Sequence, residues 1–137
     1  MIGVAEDGEV FACNLTTDGS GLTLYRWAND QADTPPEIAY GPGDPGLVRC
    51  GDALAVRGKG ASTQILVSSR NGKNVAVFTT ADGATFAPTL IDVPDATDGN
   101  FGLSVAFGSG DTFWGTANGA SVRHVAFDLA TGVGTTE

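Results

Sequence analysis

The single histidine, His124, and the two cysteines, Cys13 and Cys50, are the residues of this 137-residue sequence with the most direct chemical reach. One histidine cannot form a multi-histidine metal site, and no serine or cysteine near it sits in a recognisable nucleophile motif. Between Arg123 and Val125, His124 therefore reads as a packed or surface strand residue rather than a catalytic base. Two cysteines fall short of the four ligands of a structural zinc site and do not make a Cys-x-x-Cys redox pair. A disulfide would require the strand carrying Cys13 to pass the loop carrying Cys50; two separate buried thiols are the favoured reading. Asp92, Asp95 and Asp98, followed by Gly99 and Asn100, suggest calcium. Calcium loops of the EF type place oxygen ligands at alternate positions, however, and these aspartates are three apart. Acidic loop residues that keep the chain soluble explain them better. Arg57-Gly58-Lys59-Gly60 and Gly108-Ser109-Gly110 lack the following helix of a phosphate loop and read as hairpin loops. Asn14-Leu15-Thr16 fits the glycosylation acceptor pattern, a short motif that often arises by chance. No metal and no cofactor is expected.

The elements that must hold these residues are constrained by composition. The chain length suits one domain with a real core. Seven Lys plus Arg against 16 Asp plus Glu give a net charge of −9, which argues against a nucleic-acid partner because counterion release needs a basic face. Charged residues are only 17% and apolar ones 42%, a balance unlike that of a disordered acidic tail. Runs such as Val75-Ala76-Val77-Phe78 are far shorter than the roughly 20 residues of a membrane helix. No basic start followed by an apolar stretch marks a signal peptide.

Strands, not helices, are the expected elements. Twenty glycines interrupt every helical window. Short β-branched or aromatic runs recur: Val10–Leu15, Leu22–Trp27, Gln64–Val67, Val75–Phe78, Thr112–Trp114 and Val122–Phe127. Between or beside them stand Asp7-Gly8, Asp18-Gly19, Asn71-Gly72, Asp82-Gly83 and Asn118-Gly119, the dipeptides of tight antiparallel hairpins. The fold class is all-β.

A weak internal repeat organises the strands. Units open at Gly3-Val4-Ala5, at Asp52-Ala53-Leu54-Ala55-Val56-Arg57 and at Leu103-Ser104-Val105-Ala106-Phe107. The openings lie roughly 50 residues apart, near the period of propeller repeats. Small residues at each opening (Gly3, Ala5, Ala53, Ala55, Ser104, Ala106) suit innermost strands crowded near a central axis. Aromatics in the middle strands (Phe11, Tyr25, Trp27, Phe78, Phe113, Trp114, Phe127) are expected between blades. The reading is a single partial-propeller domain, 1–137, of about three four-stranded antiparallel β-propeller blades at 1–46, 47–98 and 99–137. A sandwich or barrel is the competing arrangement. Thr80-Ala81-Asp82-Gly83-Ala84-Thr85-Phe86 resembles the Asp-box hairpin of sialidase-like propellers, one residue short of its usual spacing. That box is a structural turn and bears on fold more than on carbohydrate chemistry.

The segments Asn14–Gly19, Leu24–Ala28, Gly51–Gly58, Val77–Gly83 and Phe101–Gly108 resemble an uncharacterised family of bacterial exported proteins with a β-propeller domain. The resemblance covers nearly the whole chain, which corresponds to about half of such a propeller. It implies an extracellular or cell-envelope location and carries no activity.

Closed propellers have about four to eight blades. Three blades leave two apolar faces exposed, so the expected partner is a second copy, a homodimer completing a six-bladed ring. The third unit has only the short stretch Val133–Glu137 for its fourth strand, or would borrow one from a partner. A ligand site, if present, would lie at the channel mouth, where loops entering the inner strands bring forward Arg49, Asp52, Asp98 and Asn100. A glycan or other small ligand is the class considered. The leading function is a non-catalytic, self-associating interaction scaffold. The alternatives are a carbohydrate-active or hydrolytic propeller using Asp52 and Asp98, and a propeller fragment without evolved function.

Overall fold

The computed structural model describes residues 1–96, 101–116 and 122–137. The fold is all-β: twelve strands and one short 3-10 turn at Gly60–Ser62 stand among the described residues, with no α-helix. No helix of the described residues is long and apolar enough to cross a membrane.

The strands form three successive antiparallel meanders. β1 (Ile2–Val4), β2 (Val10–Cys13), β3 (Leu22–Trp27) and β4 (Glu37–Gly43) make a four-stranded sheet in chain order. β5 (Ala53–Arg57), β6 (Gln64–Ser68), β7 (Asn74–Thr80) and β8 (Phe86–Asp92) make the second meander, and β9 (Ser104–Phe107), β10 (Thr112–Thr116), β11 (Val122–Asp128) and β12 (Val133–Thr136) the third. Val133–Thr136 thus supplies the fourth strand of the third unit, paired with β11 from Asp128↔Val133 to Val125↔Thr136.

One feature departs from three separate sheets. The second and third meanders join edge to edge in an eight-stranded sheet, β5-β6-β7-β8-β12-β11-β10-β9, through a single parallel pair, Val133↔Asp92. The Asp92 amide donates to Gly132 O at 2.9 Å, and Asp95 accepts from both the amide and the hydroxyl of Thr136. At the other end of this sheet β5 lies against β9 without a ladder, so the sheet is nearly closed.

The period-2 alternation of strands decides where the core sits. On β6 and β7, Ile65, Val67, Ala76 and Phe78 face the first meander and join a cluster with Phe11, Leu22, Leu24 and Cys50. Their neighbours Leu66, Val75 and Val77 face the third meander, in a second cluster with Phe101, Phe113, Val125 and Phe127. The middle meander is therefore buried on both faces at β6 and β7, which explains the continuous apolar runs Ile65–Val67 and Val75–Phe78 in those strands. The outer meanders are buried on one face only. Phe11, Phe78, Phe113 and Phe127 pack between sheets, but Tyr25, Trp27 and Trp114 lie on outward faces, since the first and last meanders have a single neighbour each.

Close approach of the inner strands requires small residues. A Cβ on Gly3 would lie 2.7 Å from Val56 Cγ2 and 2.9 Å from Leu54 Cδ2, across the β1–β5 contact. In the β2–β3 turn Gly19 has φ +79°, and a Cβ there would fall 1.9 Å from the Leu47 carbonyl oxygen.

The double-sided packing sets an expected cost. Phe78 is fully buried, with its ring edge-on to Tyr40 at 5.0 Å. Phe78→Ala is expected to lower stability by about 3–5 kcal/mol. Urea denaturation measures this as a lower midpoint at unchanged m-value.

Candidate functional site

Arg49 and Asp52 lie together on the loop that leads into β5. Arg49 Nε donates to both Asp52 carboxylate oxygens at 2.9 Å, and the Arg70 amide donates to Asp52 Oδ2 at 2.8 Å. The Asp52 side chain is only 8% exposed. Arg70 in turn touches the segment entering β9: a Cβ on Gly102 would lie 2.3 Å from Arg70 Cα. The loops into two inner strands therefore converge at Asp52. Asp98 and Asn100, expected at the same mouth, lie outside the described residues. Both oxygens of Asp52 already accept from protein donors, so its chemistry here is to fasten β5, β6 and the preceding loop.

The Asp82 turn between β7 and β8 works as a structural box. Asp82 Oδ1 accepts from the Ala84 and Thr85 amides at 2.8 Å and from the Thr80 hydroxyl at 3.0 Å, while Oδ2 accepts from the Thr85 hydroxyl at 2.7 Å. These donors, chiefly the Thr85 and Ala84 amides, hold the carboxyl well below the usual carboxylate range. Phe86, which ends the box, is buried edge-on against Phe11 at 5.4 Å.

Cys13 and Cys50 are both free and buried. Burial pushes the Cys13 thiol up to about 11, so it stays protonated and unreactive at neutral pH. Cys50 lies beside the Thr16 hydroxyl at 3.0 Å, and its thiol is also raised, mainly by burial. No group of three or more metal-ligating side chains occurs among the described residues. His124 stacks on Trp114 with ring centroids 4.4 Å apart, and its Nδ1 lies 2.9 Å from a Glu137 carboxylate oxygen.

Two features were not singled out by the sequence. Arg57, read as part of a glycine-rich loop, ties the second meander to the third. Its Nη1 donates to the Gly108 and Gly110 carbonyl oxygens, and its guanidinium lies 4.3 Å from the Phe107 ring centroid. The second feature is a shallow cleft of about 260 Å³ on the outward face of the first meander, with Ile2, Val10 and Trp27 as its floor and Asn29, Gln31 and Thr34 on its rim. The polar run after Trp27 was its only sequence signal.

The broadest feature is a pair of bare sheet faces. Register places Ile2, Val4, Val10, Tyr25, Trp27 and Ile38 on one side of the first meander. Ile2 is 68% exposed, and Val4 and Ile38 are both 58% exposed. The third meander turns Ser104, Ala106, Trp114, Val122 and His124 outward in the same way. Comparisons with protein-family models, curated proteins and solved structures find no match to this chain. The site is therefore read from its own geometry.

Two measurements probe these side chains. Asp52→Ala removes three hydrogen bonds to a nearly buried carboxylate and is expected to cost about 1.5–3 kcal/mol in urea denaturation. For Asp82, the folded-state pKa lies below the unfolded value of about 3.9. Its stabilisation is thus fully present above pH ~4 and lost as pH falls through the folded value. Asp82→Asn is expected to lose less stability than the unaltered chain between pH 4 and pH 2, followed by denaturation at each pH.

Proposed function

We propose that the three meanders are blades of a β-propeller, and that the chain is a non-catalytic, self-associating interaction scaffold. Two copies close into a six-bladed ring. One observation carries this reading. The middle meander is buried on both faces, whereas each outer meander leaves an apolar face in water, with Ile2, Val4 and Ile38 on one and Trp114 and Val122 on the other. Contiguous bare apolar surface of this kind marks a protein–protein contact.

The magnitudes favour association as the use of these faces. A blade-on-blade contact resembles a domain core cut in half, and obligate contacts of that type bury roughly 2,000 Å² or more. At about 25 cal/mol per Å² of apolar area, such burial stabilises by tens of kcal/mol before ordering costs. The resemblance to exported bacterial propeller proteins and the Asp82 turn support the blade reading; the Arg49–Asp52 pair, already engaged with Arg70, supports a fastening role over a hydrolytic one.

Light scattering after size-exclusion chromatography is the test. At micromolar concentration the expected mass is twice the 13.9 kDa of one chain. A clean monomer would overturn the proposal.

A further inference from the structure

The inner strands carry a size asymmetry that says how two copies meet. On β5 the large residues Leu54 and Val56 face the first meander, and the small residues Ala53 and Ala55 face the third. On β9 the large residues Val105 and Phe107 face the second meander, leaving the small Ser104 and Ala106 pointing outward. On β1 the small Gly3, and Ala5 just beyond it, face the second meander, leaving the large Ile2 and Val4 pointing outward. Each contact inside the chain therefore sets large inner-strand residues of the later meander on small ones of the earlier. Leu54 and Val56 over Gly3 are the first instance, and Val105 and Phe107 beside Ala53 and Ala55 are the second.

The two bare faces are the unmatched halves of the same pattern. The inner strand of the third meander ends in a small outward side, and that of the first begins in a large one. The third strands agree: the side of β7 and β11 that faces the preceding meander carries Phe78 and Phe127, both buried, and the matching side of β3 carries Tyr25 and Trp27, which are partly exposed.

We infer that the Ile2/Val4 face of one copy seats on the Ser104/Ala106 face of a second copy, repeating the internal contact. The pairing rests on the propeller reading above. It is head-to-tail, not like-to-like, and two copies make it twice around a two-fold axis. Face meeting face of the same kind would oppose Ile2 and Val4 to themselves and leave Ser104 and Ala106 against small residues, so neither contact would interdigitate as the internal ones do.

Bis-maleimide cross-linking of full-length variants tests the pairing. Val4→Cys and Ala106→Cys place thiols on the two faces, while the native Cys13 and Cys50 are buried and serve as the unreactive control in the unaltered chain. A covalent dimer is expected when the two variants are mixed and not from either alone. A second variant, Ala106→Trp, fills the small face and is expected to weaken association about tenfold or more, read by light scattering across a dilution series, with far-ultraviolet circular dichroism confirming the fold. Cross-links from Val4→Cys alone or Ala106→Cys alone overturn the pairing. So does a dimer by light scattering that gives no mixed cross-link, and in both cases self-association stands. A monomeric unaltered chain removes both readings.

Discussion

β6 and β7 have no free side. Ile65, Val67, Ala76 and Phe78 press on the first meander while Leu66, Val75 and Val77 press on the third, and nearly all are fully buried. Everything else follows from satisfying both faces at once. The neighbours must present complementary apolar surfaces, supplied by Phe11 and Leu24 on one side and Phe113 and Val125 on the other. The inner strands must come close, which Gly3, Ala53 and Ala55 permit. The turns then need to be tight enough to keep each meander in register, which the Asp82 box and the Gly19 turn accomplish.

Much of this was legible in the sequence, for physical reasons. Leu22–Trp27 was read with the bounds the strand has, because Thr23, Tyr25 and Trp27 alternate there with Leu22 and Leu24 after the glycine-rich turn. Gln64–Val67 and Val75–Phe78 were read only as strands; their burial on two sides, which the structure adds, fits the absence of polar residues at alternate positions across each run. Asp-Gly and Asn-Gly pairs stand in four of the described hairpins, β1–β2, β2–β3, β6–β7 and β7–β8, whereas Asn118-Gly119 lies outside the described residues. The small opening residues foretold the close approach of β1 and β5.

Other features left little trace. A single parallel pair, Val133↔Asp92, has no periodicity to betray it, and Asp95 looked like a solubilising loop residue until Thr136 proved to be its partner. Which aromatics face a neighbour depends on how many neighbours exist, so Tyr25, Trp27 and Trp114 read like Phe78 although they point outward. The clasp by Arg57 connects positions some fifty residues apart in the chain, beyond the reach of any local motif. Arg49 and Asp52 were brought forward only as residues of loops entering the inner strands, and the part played by the Arg70 amide was not visible.

The three meanders are not bound to one another in the same way. A hydrogen-bonded sheet runs without a break from the second into the third, reinforced by Asp95 and Arg57. Between the first and second the bonds are scattered contacts at turns and loops, Glu6 to Gly58, Asp7 to Gly60 and Thr16 to Cys50, around an apolar cluster. The molecule consequently has a grain, as timber does. Its easiest cleavage plane runs along the greasy seam beneath β1–β4, where no ladder crosses, and not through the welded pair behind it.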